Sequence, residues 1–203
     1  MVTPGTRTVE FVFDVACVNS YLMFTRWTRV ARRFRAGGGE VETALLPYRF
    51  EPGIDPAGEP LVETHRRLLG EEAALAVQAT ADFGAAEGMR VDFTRVVSTN
   101  TFEAHRRIAW AVEQGRGEAM TERLYRAYFT DGVNVADPAV LARLTREAGV
   151  EPGTSGPEEL RRELERVRGL GFDRESVPAF RFGGGLVLTG RRTEDELLAA
   201  LTG

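Results

Sequence analysis

Within its first fifty residues the chain passes from one strand-like run, through an amphipathic helix, to a second strand-like run. Residues 8–15 are β-branched and aromatic, the composition of a short buried strand. From Tyr21 onward the apolar positions Phe24, Trp27, Ala31 and Phe34 recur at helical spacing, with Arg26, Arg29, Arg32, Arg33 and Arg35 around them. Gly37-Gly38-Gly39 closes that helix. Residues 41–50 read as a second strand, ended by Glu51-Pro52-Gly53. Two strands joined by one helix in so short a span form a βαβ unit and pair in parallel, because a parallel pair needs a crossover connection.

Cys17 falls at the junction between the first strand and that helix, in Asp14-Val15-Ala16-Cys17-Val18-Asn19-Ser20-Tyr21. A thiol there lies beside unpaired backbone N–H groups and the positive end of the helix dipole. Both favour thiolate, the reactive form, so the pKa is expected to fall below its usual value of about 8.5. The plainer alternative is a buried structural cysteine, since free Cys is among the most buried residue types. The chain has 1 cysteine, which rules out an intramolecular disulfide.

Residues 51–60 are rich in proline and glycine, and from 61 to about 170 the apolar period is helical. Residues 73–86 are strong helix formers. Thr101 is placed to cap a helix over 102–114, and residues 118–129 carry Met120, Leu124, Ala127 and Tyr128 on one face. Asp137-Pro138 is a cap followed by proline at the first helical position. Gly156-Pro157 opens a charged helix over 158–168, a solvated face with (i, i+4) ion pairs. Residues 179–182 and 186–189 flank Gly183-Gly184-Gly185 as a hairpin, and 193–201 close the chain as a helix. The pattern predicts an α/β, thioredoxin-like fold. Residues 1–60 and 171–203 form one discontinuous domain, and a helical domain over 61–170 is inserted between the βαβ unit and the C-terminal hairpin plus helix.

Composition narrows the partners. With 43% hydrophobic and 28% charged residues in 203, the chain has the make-up of a globular domain. No apolar run approaches the roughly 20 residues that span a membrane. The polar start Thr3-Pro4-Gly5-Thr6-Arg7 lacks a secretory pattern, so a cytoplasmic location is expected. The net charge of -4 gives no electrostatic reason for nucleic acid. All 26 basic residues are arginine, which excludes a Schiff-base lysine. The 2 histidines, His65 and His105, lack ligand spacing, so no metal site is expected.

Four segments in order carry a resemblance. Asp14-Val15-Ala16-Cys17-Val18-Asn19-Ser20-Tyr21 is similar to the strand-Asp-x-x-Cys-Pro-Trp-Cys-Tyr opening of the DsbA superfamily, and within it the FrnE-like branch. Asn100-Thr101-Phe102-Glu103-Ala104-His105 matches that branch's Asn-Thr-x-x-Ala-His. Ala127-Tyr128-Phe129-Thr130-Asp131-Gly132 matches its Ala-Tyr-Phe-x-x-Gly, and Val177-Pro178 its Val-Pro before the C-terminal hairpin. The chain departs from the family at the chemistry: Ser20 stands at the second cysteine, and Val18-Asn19 replaces Pro-Trp. A disulfide between paired cysteines, the working device of dithiol oxidases, is therefore closed to it. Cys17 retains attack on a disulfide, a mixed disulfide with a small thiol, or oxidation to a sulfenic acid. Ser20 could donate a hydrogen bond to its thiolate. The chain also resembles 2-hydroxychromene-2-carboxylate isomerase and the kappa-class glutathione transferases, which lack a disulfide pair and steady a bound glutathione thiolate with a hydroxyl.

The resemblance implies Cys17 and Ser20 as catalytic residues, with Val18, Asn19, Arg49, Asn100, His105, Val177 and Pro178 at the substrate. It implies a cis bond before Pro178 and exposed backbone at Val177. It implies no tightly bound cofactor, a glutathione-like thiol as co-substrate, and a small-molecule or thiol/disulfide substrate, with a homodimer compatible. Three functions stay open: single-cysteine thiol–disulfide exchange, a thiol-dependent isomerase or transferase acting on a small aromatic or polyketide-like acid, and a redox-inactive binding protein. Individual residues also have plainer readings. Asn100 caps a helix or faces the substrate; Arg49 binds a carboxylate or is an ordinary surface arginine. His105 is a site group or a hydrogen-bonded core histidine, and His65 is exposed. An apolar wall for recognition is expected from Phe102, His105, Trp110, Tyr125 and Tyr128, although aromatic residues on helical faces are more often core.

Overall fold

The computed structural model of the protein describes residues 5–203. The chain divides into two compact units, one running up to Tyr48 and resuming at Arg161 through Gly203, the other Arg49–Leu160. The cuts fall at 48/49 and 160/161, earlier than the 60/61 and 170/171 read from composition. The architecture is a thioredoxin-like α/β core with a helical subdomain inserted in the chain between the N-terminal βαβ unit and the C-terminal hairpin and helix.

The first unit is built on a four-stranded sheet in the order β2-β1-β5-β6. Strand β1 (Arg7–Phe13) pairs in parallel with β2 (Val41–Pro47), from Arg7 opposite Val41 to Phe13 opposite Pro47. On its other side it pairs antiparallel with β5 (Ala179–Arg181), with Val12 opposite Ala179, and β6 (Val187–Thr189) completes the sheet. A central strand covered on both faces reads as continuous apolar sequence. Phe11, Val12 and Phe13 are accordingly all fully buried.

Helix α1 (Val18–Ala36) returns the chain across the sheet and lays Met23, Phe24, Trp27, Val30 and Ala31 into the core. Phe11 stacks on Phe180 with centroids 4.6 Å apart, and Trp27 meets Phe180 at 5.4 Å. The indole nitrogen of Trp27 donates to Thr43 Oγ1 at 2.9 Å, so its one polar atom is satisfied where it is buried. Truncating any of these rings to alanine removes about 3–5 kcal/mol of packing. The closing helix α8 (Glu194–Thr202) packs on α1 and starts with a capping box between Thr193 and Glu196.

The second unit contains helices α2 (Leu61–Leu69), α3 (Glu71–Gln78), α4 (Phe102–Glu113), α5 (Gly117–Arg126) and α6 (Pro138–Glu147). It also holds the start of α7 (Pro157–Gly169) and a two-residue ladder between β3 (Glu59–Pro60) and β4 (Val97–Ser98). Asp137 caps α6 by accepting from Ala139 N at 2.7 Å and Val140 N at 3.0 Å, with Pro138 in the first turn as the sequence indicates.

The helix expected over 73–86 stops at Gln78, and residues 79–101 hold only a single 3₁₀ turn (Ala85–Glu87) and β4. Local helix propensity loses there to tertiary contacts. Gly84 takes φ +71°, reversing the chain, and Phe83 packs edge-on to Phe93, which in turn packs on Phe129. After α5 the backbone widens into a π turn over Ala127–Asp131. No helix among the described residues is long and apolar enough to cross a membrane.

Candidate active site

Cys17 is the N-cap of α1: its backbone is extended (φ −97°, ψ 111°) and its sulfur accepts the Ser20 N–H at 3.3 Å. The thiol thus takes the position usually held by a Ser, Thr or Asp oxygen, against one of the orphan donors of the helix start. The turn before it is shaped by Asp14, which is buried. Its carbonyl accepts Cys17 N–H at 3.1 Å and its Oδ1 accepts Ala16 N–H at 3.3 Å.

Ser20 is 0% exposed, and its Oγ completes no hydrogen bond of normal geometry. The hydroxyl nonetheless stands near enough to the sulfur to favour its ionised form. The two residues expected to carry the chemistry are therefore side by side on the first turn of α1.

The expected lowering of the Cys17 pKa is not what the surroundings produce. Burial pushes the thiol up, and this outweighs the Ser20 hydroxyl and the Ser20 and Asn19 N–H groups, which pull it down; the buried Asp14 carboxylate adds to the rise. Part of Cys17 still reaches solvent. Sequence position identified the helix terminus but not the depth at which the terminus lies.

The Val177–Pro178 bond is cis, and both residues are buried. Continuing the register beyond Val12–Ala179 sets this pair against the Phe13–Asp14 end of β1, the end that leads to Cys17. The Val177 N–H is bonded to Asp173 O at 3.3 Å, so that donor is used internally, contrary to the expectation of exposed backbone.

Beyond Pro178 the chain makes its hairpin and returns through Gly190, Arg191 and Arg192. Gly190, at φ +68°, donates its N–H to Pro178 O at 2.8 Å. Arg191 Nε donates to Asn19 Oδ1 at 2.9 Å, and Arg192 N–H to Met23 Sδ at 3.2 Å. This three-residue segment thereby joins the cis-proline turn to the first turns of α1. Gly190 and Arg191 were not read from the sequence as site residues. A glycine and paired arginines before a helix cap look like an ordinary connection, and only the fold brings them to Cys17's turn. Val18 and Asn19 are half-buried on that same turn.

Arg49, Asn100 and His105 belong to the other unit, where they form part of its framework. Asn100 Oδ1 accepts from Arg49 Nη2 at 2.7 Å and from Phe102 N–H at 3.0 Å, while its Nδ2 donates to Pro52 O and Ile54 O. Asn100, not Thr101, supplies the side-chain cap of α4. Arg49 also lies over the Phe102 ring at 5.4 Å. His105 is buried on α4. His65 is half-buried rather than exposed, and burial lowers its pKa.

Tyr125 and Tyr128 are fully buried core, and Trp110 carries Arg106 and Arg107 over its ring, so these residues do not line an open wall. A concavity of about 550 Å³ in this unit lies instead beside Ile54, Gly58, Glu59, Thr64, Arg67 and Leu68. Among the described residues no three of His, Cys, Asp and Glu converge as metal ligands would.

Residues 8–158 match the family of the DSBA-like thioredoxin domain. No curated protein matches the chain. Among solved structures, a probable DsbA oxidoreductase from Streptomyces coelicolor superposes with a TM-score of 0.84 at 25% identity, over 97% of this chain and 88% of that one. The cytosolic disulfide reductase DsbM from Pseudomonas aeruginosa, with GSH, gives 0.56 at 19% identity over 96% and 94% of the two chains. A 2-hydroxychromene-2-carboxylate isomerase gives 0.55 at 15% identity over 95% and 91%. The last two likenesses are of fold.

Proposed function

The chain belongs to the DSBA-like thioredoxin domain family, and we propose that it catalyses thiol–disulfide exchange through Cys17 alone, with a low-molecular-weight thiol as its second substrate. The observation that carries this reading is the placement of the only cysteine at the N-cap of α1, accepting the Ser20 N–H, with a serine where a resolving thiol would be needed.

The cycle balances without a second protein thiol. The Cys17 thiolate attacks one sulfur of a disulfide; the new Sγ–S bond forms as the old S–S bond breaks, and the released thiolate takes up a proton from solvent. Cys17 is oxidised and the leaving sulfur reduced. A small thiol then attacks the mixed disulfide, which restores Cys17 and carries the oxidised equivalent away as a new disulfide. Ser20 steadies the sulfur during both displacements, with Val18, Asn19, Val177 and Pro178 around the substrate. Such a cycle needs a pool of reduced thiol, which the cytoplasm supplies; the likeness to a cytosolic disulfide reductase that was solved with GSH supports this assignment.

The high pKa of Cys17 lowers the thiolate fraction at neutral pH but raises the nucleophilicity of each thiolate, since attack strengthens with basicity at a Brønsted slope of about 0.4–0.5. The same observation favours one other reading. A neutral S–H at a helix start donates a hydrogen bond to a bound thiolate, which is what a thiol-dependent isomerase or transferase requires, and the isomerase likeness is in line with it.

Turnover of a small disulfide with glutathione, compared between the wild type and Cys17→Ser, separates the two. Exchange through Cys17 predicts activity that Cys17→Ser abolishes. Activity towards a small aromatic acid that survives in Cys17→Ser, where a hydroxyl replaces the donor, supports the isomerase or transferase. No turnover of either kind leaves a binding protein.

A further inference from the structure

We infer that Arg191 is the specificity-determining residue of the Cys17 site, and that the small thiol or disulfide it selects carries an anionic group, a carboxylate, a few bonds from its sulfur. This rests on the exchange reading above and names its substrate class.

Arg191 lies in the connection between β6 and α8, far from Cys17 in sequence, and is exposed. Its Nε is fixed to Asn19 Oδ1 at 2.9 Å, and Asn19 lies two residues after Cys17 on the first turn of α1. The guanidinium is thus held at the rim of the turn that presents the sulfur. Its backbone is held as well: Gly190 is bonded to Pro178 O on one side and Arg192 N–H to Met23 Sδ on the other. A long side chain tethered at both its backbone and its Nε loses less freedom on meeting a ligand than an ordinary surface arginine.

The neighbouring charges make Arg191 the candidate at this rim. Arg192 turns back on its own segment, to Thr189 O at 3.1 Å and Glu196 at 3.4 Å, and Arg26 reaches Arg192 O at 2.7 Å. The buried Asp14 carboxylate acts on the Cys17 sulfur and opposes an anion there, so a cationic rim group is what a negatively charged substrate needs in order to approach. A ligand atom that reaches the sulfur meets the buried Ser20 Oγ, which completes no hydrogen bond of normal geometry. A guanidinium suits a carboxylate by its planar fork geometry.

Three disulfides of equal chain length that differ in end group test this: dithiodipropionate (anionic), bis(2-hydroxyethyl) disulfide (neutral) and cystamine (cationic). The second-order rate of adduct formation on Cys17 is read by intact mass at low ionic strength. The ratio of anionic to cationic rates is expected to fall about fivefold in Arg191→Gln, to fall further in Arg191→Glu, and to stay nearer the parent in Arg191→Lys. Added salt should shrink the parent's ratio. An unchanged ratio in Arg191→Gln and Arg191→Glu, or an equal fall with all three probes, would overturn the inference and leave Arg191 a structural tie to Asn19. Adducts from none of the three on the wild-type protein would overturn the exchange reading, and this inference with it.

Discussion

The backbone N–H of Ser20 points at the Cys17 sulfur from 3.3 Å, while the Ser20 hydroxyl beside it is wholly buried. A second cysteine at position 20 would lie one turn along the same helix face from Cys17, within the span that a disulfide bridges. Serine there keeps the helix cap and removes the resolving thiol. The site's acid–base behaviour and its redox capacity both follow from this pair.

The first prediction concerns the thiol. Burial raises the Cys17 pKa, so the rate of alkylation should keep rising with pH beyond the point at which a free thiol levels off. The same shift bears on stability. A thiol whose folded pKa is raised leaves folding unaffected below its unfolded pKa and costs stability as pH rises from there through the folded value. Cys17→Ala should remove that alkaline loss. A plateau at or below neutral pH would show that the helix terminus outweighs burial.

Ser20 separates two effects. In Ser20→Ala the thiol should titrate higher still, with stability unchanged or improved by up to about 1 kcal/mol, because the buried hydroxyl lost there favours the thiolate but completes no hydrogen bond of normal geometry. In Ser20→Cys the chain gains a Cys-x-x-Cys pair. Mild oxidation should then remove both free thiols, and exchange with a model disulfide should speed up at least tenfold. Two thiols that persist through oxidation would mean that Val18-Asn19 holds the turn in a shape unable to close the bridge.

Asn100 is predicted to matter through structure first. Replacing it with alanine removes the cap on Phe102 N–H, the Arg49 contact and two carbonyl contacts, a loss of about 2–3 kcal/mol. Denaturant midpoints of Asn100→Ala and Asn100→Asp check this, since the aspartate retains the acceptor for both Arg49 and Phe102. Unchanged midpoints in both would free Asn100 for a purely substrate-facing role.

The second unit should also register acid. Arg67 and Thr64 hold Glu59 down to about 2 from its ordinary 4.5. A carboxyl with a lowered folded pKa adds stability above its ordinary value and loses it as pH falls through the lowered one. The melting-temperature gap between wild type and Glu59→Gln should therefore be full near pH 6 and close as the pH falls from about 5 to about 2. A gap independent of pH would mean that Glu59 contributes by packing alone.

Much of the frame was legible in the residues. β1, α1, β2, the Gly183–Gly185 hairpin and the Asp137-Pro138 cap each announce themselves by local period or turn chemistry, and each is present. Residues 79–101 were not legible, because helix-forming composition there yields to aromatic contacts such as Phe83 on Phe93. Cys17 and Ser20 could be read as neighbours from their spacing, but the thiol's high pKa could not, since desolvation depends on what the rest of the chain packs around the turn. Arg191 was invisible for the same reason: its tie to Asn19 joins residues 172 positions apart.

The most direct measurement is the intact mass of the protein after incubation with glutathione disulfide at mildly alkaline pH, followed by return to excess glutathione. Exchange through a single thiol predicts one glutathionyl adduct per chain, located on Cys17, absent in Cys17→Ser, and fully removed by the thiol. A protein that takes no adduct while folded, or one whose adduct cannot be displaced by glutathione, would contradict it.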